Sequence, residues 1–355
     1  MINDWVIARS ALDLNPRVVG WDDAGAPTRV ELDDGSVIEG NGMPVRDRAR
    51  QLDGPAQVVL STLDAFEDRP RSFECHGRRL ELDGRTAVMG IINTTPDSFS
   101  DGGRFFDADR AIEHGLALIE DGADILDIGG ESTRPGAEPC SAEEERHRTE
   151  PVVAALAEKT DVLISIDTSK PEVARAALEA GAGMVNDVTA LRDPEMAPLV
   201  AEHDAGLVVM HMQGEPRTMQ QSPHYEDVLA EITLYLRRAM ARATEGGVPL
   251  DRIVVDPGIG FGKTLAHNKK IILRLPVLAS LGCPILVGCS RKSMIAHALG
   301  LPMERRLFPS LALDVLSIAG RASIIRVHDV EAACHAAAMA DAVLFGTKRD
   351  LGGGG

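Results

Sequence analysis

The chain has 355 residues, of which 44% are hydrophobic, so it can bury the core of one large domain or of two ordinary ones. Its formal net charge of −17 excludes the overall positive field with which proteins attract nucleic acid or anionic membranes. The first sixteen residues lack the basic and apolar regions of a secretory signal, and no apolar run approaches the ~20 residues of a membrane span.

The first 85 residues are rich in Asp, Arg, Gly and Pro. They contain two short alternating stretches, TRVELDDGSVIEG and RRLELDGR. Asp-Gly pairs between alternating segments favour tight turns, so we predict that both stretches are β-hairpins turning at Asp-Gly. No cluster of catalytic side chains occurs here. We therefore predict a small β-rich appendage that packs against the bottom of the following domain or against a partner.

From residue 87 onward, short apolar runs alternate with longer amphipathic segments. Eight runs have the composition of buried strands: 87–92, 124–129, 162–167, 183–188, 206–211, 252–256, 284–288 and 323–327. The segments between them include DADRAIEHGLALIEDG and KPEVARAALEAG, which begin and end with residues typical of helix termini. Near-continuous apolar strands separated by helices indicate a parallel sheet covered by helices.

Eight such units in about 260 residues match the size of a TIM barrel. A doubly wound open sheet is the alternative, but the GxGxxG turn expected after its first strand is absent. The predicted fold class is therefore α/β, a TIM (β/α)8 barrel over residues 86–347 with the N-terminal appendage, and a flexible tail at 348–355.

The five cysteines are scattered and form no CxxC pair. An odd number without metal-ligand spacing predicts reduced thiols that serve mainly in packing, in a reducing compartment. Together with the missing signal and membrane segments, this predicts a soluble cytoplasmic protein with no nucleic-acid or membrane partner.

Polar residues follow all eight predicted strands. In order along the chain they are Asn93, the loop GGESTRPG, Asp167, Asn186, His211, Asp256, the loop GCSRKS and the segment RVHD. A single Asp at a strand end is more often a helix cap or a turn former. Eight strands that all deliver polar groups to the carboxyl-terminal rim, where barrel active sites lie, instead predict a functional site.

One group of these residues suits a flat heterocycle. Asp167, Asn186 and Asp256 supply acceptors and an amide near the barrel axis. Carboxylates at that depth need partners, because a buried polar group without one costs several kcal/mol. The donor-rich edge of a ring would provide them.

A second group is cationic and comes from three different loops. Its members are Arg134, Arg291, Lys292, Arg326 and His328. Converging cations on a chain this acidic predict a bound anion, and phosphate is favoured near helix N-termini. A substrate with both a ring and a phosphate is implied, with magnesium on the phosphate held by few protein oxygens.

No nucleophile with an adjacent base is apparent among Ser132, Ser290 and Cys289. Catalysis by positioning and by stabilisation of a leaving group therefore fits better than covalent catalysis.

The motifs, in chain order, resemble those of the dihydropteroate synthase family of pterin-binding enzymes. They are MGIINTTPDSFSDGG, DILDIGGESTRPGA, ISIDTSKPEVA, NDV, VVMHMQGEPRTMQ, DPGIGFGKTLAHN, GCSRKSMI and IIRVHDV. The resemblance covers residues 86 to 345 and does not extend to residues 1–85. It implies condensation of 6-hydroxymethyl-7,8-dihydropterin pyrophosphate with p-aminobenzoate, which yields 7,8-dihydropteroate and pyrophosphate for folate biosynthesis.

The resemblance also assigns roles to residues of this chain. It implies pterin binding by Asp167, Asn186, Met210, Asp256, Phe261 and Lys292. It implies pyrophosphate binding by Asn93, Thr133, Arg134, Arg326 and His328, with Asn93 acting through Mg2+. It implies p-aminobenzoate binding by Phe99, Arg134, Pro135, Phe261, Ser290 and Lys292. It gives catalytic roles to Asp101, Lys292, Arg326 and His328.

The implied mechanism is SN1-like: pyrophosphate leaves first, and the amine then attacks the pterin methylene cation. In the first loop, NTTPDSFSDGG, Asp101 would face that cation while Phe99 covers p-aminobenzoate, and Gly102 and Gly103 would permit movement. The resemblance further implies a cytoplasmic homodimer and a target of sulfonamides.

Three alternatives remain open from the sequence. Another pterin enzyme on the same barrel, such as a methyltetrahydrofolate methyltransferase, would share the Asp and Asn residues but would not need the anion cluster. A non-catalytic paralogue could keep the pterin site. The appendage could also make the chain an interaction module that uses an enzyme core as its scaffold.

Overall fold

A computed structural model describes seven segments of the chain: residues 14–22, 26–40, 43–50, 56–95, 108–132, 139–215 and 217–347. Strands are Arg17–Trp21 (β1), Pro27–Glu31 (β2), Val37–Glu39 (β3), Ser72–Cys75 (β4), Arg78–Glu81 (β5), Ala87–Asn93 (β6), Ile125–Gly129 (β7), Leu163–Asp167 (β8), Met184–Asp187 (β9), Gly206–Met210 (β10), Ile253–Asp256 (β11), Leu286–Val287 (β12) and Ile324–Val327 (β13). Helices are Val45–Ala49 (α1), Ala56–Glu67 (α2), Ala108–Glu120 (α3), Ala142–Ala157 (α4), Pro171–Glu179 (α5), Met196–Glu202 (α6), Val228–Glu245 (α7), Leu265–Leu273 (α8), Ser293–Leu299 (α9), Leu307–Ala319 (α10) and Val330–Phe345 (α11).

The last eight strands form one parallel sheet in the order β11-β10-β9-β8-β7-β6-β13-β12. Its two ends meet, because Val255 of β11 bridges Ile285 just before β12, and the Val255 amide donates to the Pro284 carbonyl at 3.0 Å. The closed ring confirms the predicted TIM barrel and all eight predicted strands. None of the helices among the described residues is both long and apolar enough to cross a membrane.

Several helix starts follow from the capping residues in the sequence. Ser141 accepts from the Glu144 amide at 3.2 Å before α4, and Asp227 accepts from the Leu229 amide at 2.9 Å before α7. At α5, Pro171 occupies the first turn, where its missing N–H is no loss. These caps fix where each helix turns back over the sheet.

Strand residues alternate between the helices outside and the barrel interior. The interior floor is apolar and consists of Ala87, Met89, Ile125, Leu163, Met184, Val208, Val254, Leu286 and Ile324. Because the side-chain period of a strand is two, the next inward-facing position lies two residues further on. At that level the interior becomes polar, with Asp127, Ser165, Asn186, Asp256 and Arg326.

A hairpin made of β4 and β5 closes the bottom of the barrel. Its Phe73, Cys75, Leu80 and Leu82 belong to the same buried cluster as the apolar floor. The Phe73 ring lies directly beneath Gly206, where an added Cβ would come within 2.7 Å of the ring. The hairpin is therefore the plug of the barrel.

The turn of this hairpin corrects one prediction. RRLELDGR was expected to turn at its Asp-Gly pair, but the chain turns at His76 and Gly77, with φ of 48° and 69°. The prediction was wrong because Leu80 and Leu82 both bury their side chains under the barrel, so the strand direction must persist past residue 80. The Asp83–Gly84 pair instead precedes β6.

The segment before the plug combines a three-stranded antiparallel sheet, β1-β2-β3, with two helices. Its hairpin turns at Asp34–Gly35 as predicted, but the helix α2 was not predicted. Val59, Leu63 and Phe66 of α2 pack on Val18 and Val30 of the sheet. The helical spacing of VVLSTLDAF was the overlooked signal.

Buried polar contacts attach this segment to the side of the barrel. Arg237 of α7 is fully buried and donates to the Pro16 carbonyl at 2.9 Å. The Val18 backbone amide donates to the Ser280 hydroxyl at 2.9 Å. The Asn15 side-chain amide donates to the Ala230 carbonyl at 2.9 Å. The sheet is thus fixed to the barrel wall near α7.

Replacing Phe73 by Ala should remove most of the plug's apolar contact. Phe73 is 1% exposed, and we expect Phe73→Ala to lower the free energy of unfolding by about 3–5 kcal/mol. Leu273→Ala is the control, because Leu273 is 71% exposed and should change stability by no more than about 0.5 kcal/mol. Urea unfolding followed by circular dichroism measures both. Equal losses in the two variants would show that the plug does not support the barrel.

Candidate functional site

A cleft of about 300 Å³ opens at the carboxyl ends of the barrel strands. The sequence-predicted residues that line it are Asn93, Asp167, Asn186, Met210, Asp256, Phe261, Ser290, Arg291, Lys292, Arg326 and His328. The fold therefore brings together residues that are up to 235 positions apart, from Asn93 to His328. Phe99, Asp101, Thr133, Arg134 and Pro135 lie outside the described residues.

A partly buried arginine, with 20% of its side chain exposed, lies at the centre of the cleft. Arg326 Nε donates to Asp127 Oδ2 at 2.5 Å, and its Nη2 donates to Asp167 Oδ2 at 2.8 Å. Burial acts to lower the pKa of Arg326, but the two carboxylates outweigh burial and raise it. The guanidinium therefore stays charged and ties three strands together through one group.

Asp127 was not among the predicted site residues. It lies in the middle of β7, is fully buried, and accepts from both Arg326 and the Asn186 side-chain amide, the latter at 3.0 Å. The sequence prediction considered polar residues at strand ends, and Asp127 lies two residues before the end of β7. An Asp inside the apolar run DILDIG was the available signal.

Burial makes the two predicted ring-binding carboxyls harder to ionise. It raises the pKa of Asp167, against the opposing effect of Arg326. It also raises the pKa of Asp256 to about 6, while the Gly258 amide, which donates to Asp256 at 2.6 Å, acts in the other direction. Both carboxyls would gain from a ligand that donates hydrogen bonds to them.

Lys292 lies over the face of Phe261. Its ammonium is 4.1 Å from the centre of the ring, within the range of a cation–π contact. Burial first, and then repulsion from Arg326, lower the pKa of Lys292 to about 8. A ligand with negative charge or an acceptor atom would stabilise the charged form.

The end of the eighth barrel strand meets the seventh loop. The His328 amide donates to the Ser290 hydroxyl at 3.2 Å, and His328 Nδ1 lies 3.0 Å from the same oxygen. Burial, together with Arg326 and Arg291, lowers the pKa of His328 to about 3. The imidazole is therefore neutral at pH 7 and can act in hydrogen bonds but not as a cation, which differs from its predicted place in the cationic group.

Arg291 was predicted to belong to the cationic group that binds an anion, but it is already paired with a carboxylate. Its guanidinium pairs with Asp329 at 2.5 and 3.0 Å. Its backbone is left-handed, with φ of 57°, and its amide donates to the Ser310 hydroxyl at 2.9 Å. Arg291 therefore holds the seventh loop against the eighth while it lines the cleft.

One wall of the cleft is apolar and rich in methionine. It consists of Val188, Met210, Met219 and Phe261, which form a separate buried cluster together with Met212. Flat apolar and aromatic surfaces of this kind suit a planar ring, and methionine adapts its shape readily.

The sixth loop, which carries Phe261, is held tightly against the fifth. Gly258 and Gly262 have φ of 65° and 62°, and a Cβ on either would come within 2.0 Å of the His211 carbonyl or 2.4 Å of the Gln213 carbonyl. Lys263 is buried and contacts His211 Nδ1 at 2.9 Å and the Phe261 carbonyl at 2.9 Å. Burial lowers the pKa of Lys263 to about 7. These contacts fix the loop before any ligand arrives.

A cluster of acidic groups flanks the second loop. Glu131, Cys140 and Glu145 place one potential ligand atom each within 4.8 Å of one another. Lys170 already pairs with both carboxylates, at 2.5 Å to Glu131, so a side chain of this chain offsets part of their charge. The cluster therefore anchors the start of the loop that leads to Ser132.

Comparisons with known proteins agree with this geometry. A family model described as "Pterin binding enzyme" matches residues 89–328. The Escherichia coli (strain K12) protein named dihydropteroate synthase is 46% identical over 257 residues, which are 72% of this chain and 91% of that protein.

Two solved structures of the Xanthomonas albilineans dihydropteroate synthase are similar as well. The one with 4-aminobenzoic acid has a TM-score of 0.73 and 46% identity, and the match covers 78% of this chain and 98% of that one. The one in complex with 7,8-dihydropteroate has a TM-score of 0.70 and 44% identity, and the match covers 77% and 99%.

The close approach at Gly258 can be tested separately from its backbone angle. Gly258→Ala and Gly300→Ala both place Ala at a left-handed φ, which costs about 1–2 kcal/mol, but only the Gly258 Cβ would collide with backbone. We expect Gly258→Ala to lower the free energy of unfolding by at least about 2 kcal/mol more than Gly300→Ala. Urea unfolding of both variants measures the difference. Equal losses would show that the sixth loop can move away from His211 without cost.

Proposed function

Since the chain belongs to the dihydropteroate synthases, transferases of folate biosynthesis within the pterin-binding enzymes, we propose how its cleft performs their reaction. We infer that it joins 6-hydroxymethyl-7,8-dihydropterin pyrophosphate to p-aminobenzoate, with release of pyrophosphate. The observation that carries this proposal is the adjacency of ring acceptors and cations around Arg326 in one cleft. An identity of 46% to a dihydropteroate synthase favours the synthase over the methyltransferase alternative.

The deepest part of the cleft is the proposed pterin subsite. Asp167, Asn186 and Asp256 would accept from the N–H groups of the ring, and Lys292 would donate to an acceptor atom. The raised pKa values of the two carboxyls support this role, because hydrogen bonds from the ring to the charged form would lower them again. Met210 and Phe261 would hold the faces of the ring.

The pyrophosphate would lie beside Arg326 and His328, with Asn93 at the end of the first barrel strand. Neutral His328 would act as a hydrogen-bond donor. Thr133 and Arg134, which lie outside the described residues, remain part of the proposal through the family motif.

The charges of the cleft support a role for magnesium. Three carboxyl groups around the ring subsite, Asp127, Asp167 and Asp256, offset the cations Arg326, Lys292 and Lys263 among the described residues. A pyrophosphate group would therefore meet little net positive charge. The amide oxygen of Asn93 is a suitable hard ligand, and Mg2+ typically keeps several waters and substrate phosphates as its other ligands. When bound, Mg2+ supplies charge that stabilises the leaving group.

The p-aminobenzoate would lie further out, against Phe261, Lys292 and Ser290. Phe99, Arg134 and Pro135 complete this proposed subsite from segments outside the described residues. Because the proposed pterin subsite is deeper, the amine of p-aminobenzoate would approach the pterin methylene group from the mouth of the cleft.

The proposed chemistry is SN1-like and needs no protein nucleophile. The C–O bond to pyrophosphate breaks first, the amine nitrogen of p-aminobenzoate then bonds to the methylene carbon, and the nitrogen releases a proton. Cys289 is fully buried with a raised pKa, and the Ser290 hydroxyl is already bonded to His328, so neither is a ready nucleophile. Carboxylates near the ring would stabilise the cation, with Asp101 of the first loop proposed to face it.

We also propose a cytoplasmic location. All five cysteines are free, and four of them are buried, which is the usual state of thiols in a reducing compartment.

Release of pyrophosphate tests the proposed reaction. Purified protein should release pyrophosphate only when the pterin pyrophosphate, p-aminobenzoate and Mg2+ are all present, and excess EDTA should abolish the release. A coupled pyrophosphate assay with chromatographic detection of dihydropteroate measures this. Absence of both products at saturating substrate concentrations would refute the proposal.

Lys292→Ala provides the matched variant for this assay. Loss of its contacts with the ring and with Phe261 should lower kcat/KM by about 100-fold or more while the circular dichroism spectrum stays unchanged. Near-normal kinetics would remove Lys292 from the proposed site.

We propose that the protein is a homodimer that pairs through α10 and α11. These adjacent helices expose Phe308 (79%), Leu316, Met339 (64%), Val343 and Leu344 to solvent. Such a contiguous apolar surface is unusual on a monomer and typical of an interface. The isologous pairing of this face with its copy would bury it.

Substitution of Met339 tests this interface. Met339→Glu should shift the mass measured by size-exclusion chromatography with light scattering from that of a dimer to that of a monomer. Val37→Glu, which adds the same charge at an exposed position of β3 in the N-terminal sheet, should leave the dimer intact. A dimer that survives Met339→Glu, or a monomeric unmodified protein, would refute the proposed interface.

A further inference from the structure

The orientation of the Asn186 amide is set from below the cleft. Asn186 lines the cleft, and its side-chain NH2 donates to Asp127 Oδ2 at 3.0 Å. Asp127 is fully buried, so it lies beneath the ligand-facing surface and does not line the cleft itself. The same oxygen accepts from Arg326 Nε at 2.5 Å.

The chemistry of these groups leaves only one stable orientation. An ionised carboxylate accepts hydrogen bonds and cannot donate them, so the amide must turn its NH2 toward Asp127. The amide oxygen of Asn186 is then left for the cleft, together with the carboxylates of Asp167 and Asp256. Without Asp127, the amide could rotate by 180° and present a donor instead.

We propose that Asp127 is a specificity-determining positioning residue, which fixes Asn186 as an acceptor and thereby selects rings that present an amino group to it. The ligand class is a 2-amino-4-oxo pteridine, and a 2,4-dioxo pteridine, which replaces the amino group by an oxygen, is rejected. This inference rests on the proposed pterin function. When Asp127 is replaced, Arg326 keeps Asp167 as a second partner at 2.8 Å.

The test compares the binding of two stable ring probes in the absence of p-aminobenzoate. They are 6-hydroxymethylpterin and 6-hydroxymethyllumazine, and titration calorimetry gives both dissociation constants. The unmodified protein should prefer the pterin by about 100-fold or more, because a mismatched ring leaves buried polar groups unpaired. Asp127→Leu, which removes the acceptor, should reduce that preference to less than about tenfold.

Two further variants distinguish loss of the hydrogen-bond acceptor from loss of its negative charge and from general disruption of the polar layer. Asp127→Asn keeps an oxygen that can accept from Asn186, and it should retain most of the ring preference. Ser165→Ala is the control in the same layer, because Ser165 pairs with Asp127 across β7 and β8 and its hydroxyl has no hydrogen-bond partner among the described residues. It should leave the preference unchanged.

A double substitution tests whether Asp127 acts through Asn186. If it does, Asp127→Leu/Asn186→Leu should lose no more ring preference than Asn186→Leu alone, whereas independent effects would multiply. Asp127→Ala, which also lacks an acceptor, replaces Asp127→Leu in both comparisons if the leucine variant is unfolded by circular dichroism.

The outcomes distinguish this inference from the proposed function. If the unmodified protein binds neither ring, the pterin function fails and this inference fails with it. If the protein prefers the pterin, and a folded variant without the Asp127 acceptor keeps that preference, only the role of Asp127 is refuted. Equal loss in Asp127→Asn and Asp127→Leu would also refute it, because charge rather than the acceptor would then be responsible.

Discussion

The charge of Arg326 inside the barrel is the constraint on which the rest of the site depends. A cation there is stable only because Asp127 and Asp167 contact it from two neighbouring strands. These carboxylates in turn need the donor of Asn186 and a floor that keeps water out from below. The apolar layer, the polar layer and the cleft are therefore arranged around one charge inside the barrel, and the period-two alternation of the strands separates the layers.

Much of this could be predicted from the sequence, because parallel strands buried on both faces and Gly- or Asp-marked helix ends leave strong local patterns. Asp167, Asn186 and Asp256 were found because strand ends converge in a barrel. Asp127 was missed since its role depends on partners 59 and 199 positions away, which local spacing does not reveal. Arg291 was assigned to the cationic group from its charge alone. Its partner Asp329 becomes apparent only when the two loops are brought together. The plug turn was misplaced because its position is decided by burial under the barrel, which overrides the Asp-Gly preference.

The two sides of the cleft are organised differently. Lys263 and the close glycine contacts hold the sixth loop against the fifth in the absence of a ligand. Phe261 lies on this loop, so its position is held as well. On the polar side, burial raises the pKa values of Asp167 and Asp256, so hydrogen bonds from a ligand would favour their charged forms. In the proposed function, a rigid apolar wall facing these carboxyls would favour one ring orientation, because the wall would limit tilt and the carboxyls would fix rotation.

The plug has a consequence for the sequence of events in the cleft. Phe73, Leu80 and Leu82 fill the lower end of the barrel, so among the described residues the cleft opens at the carboxyl-terminal rim alone. In the proposed arrangement, the ligand of the deeper subsite would therefore have to bind before the ligand nearer the mouth and leave after it. A closed base would in this way impose an order of binding on the two proposed subsites.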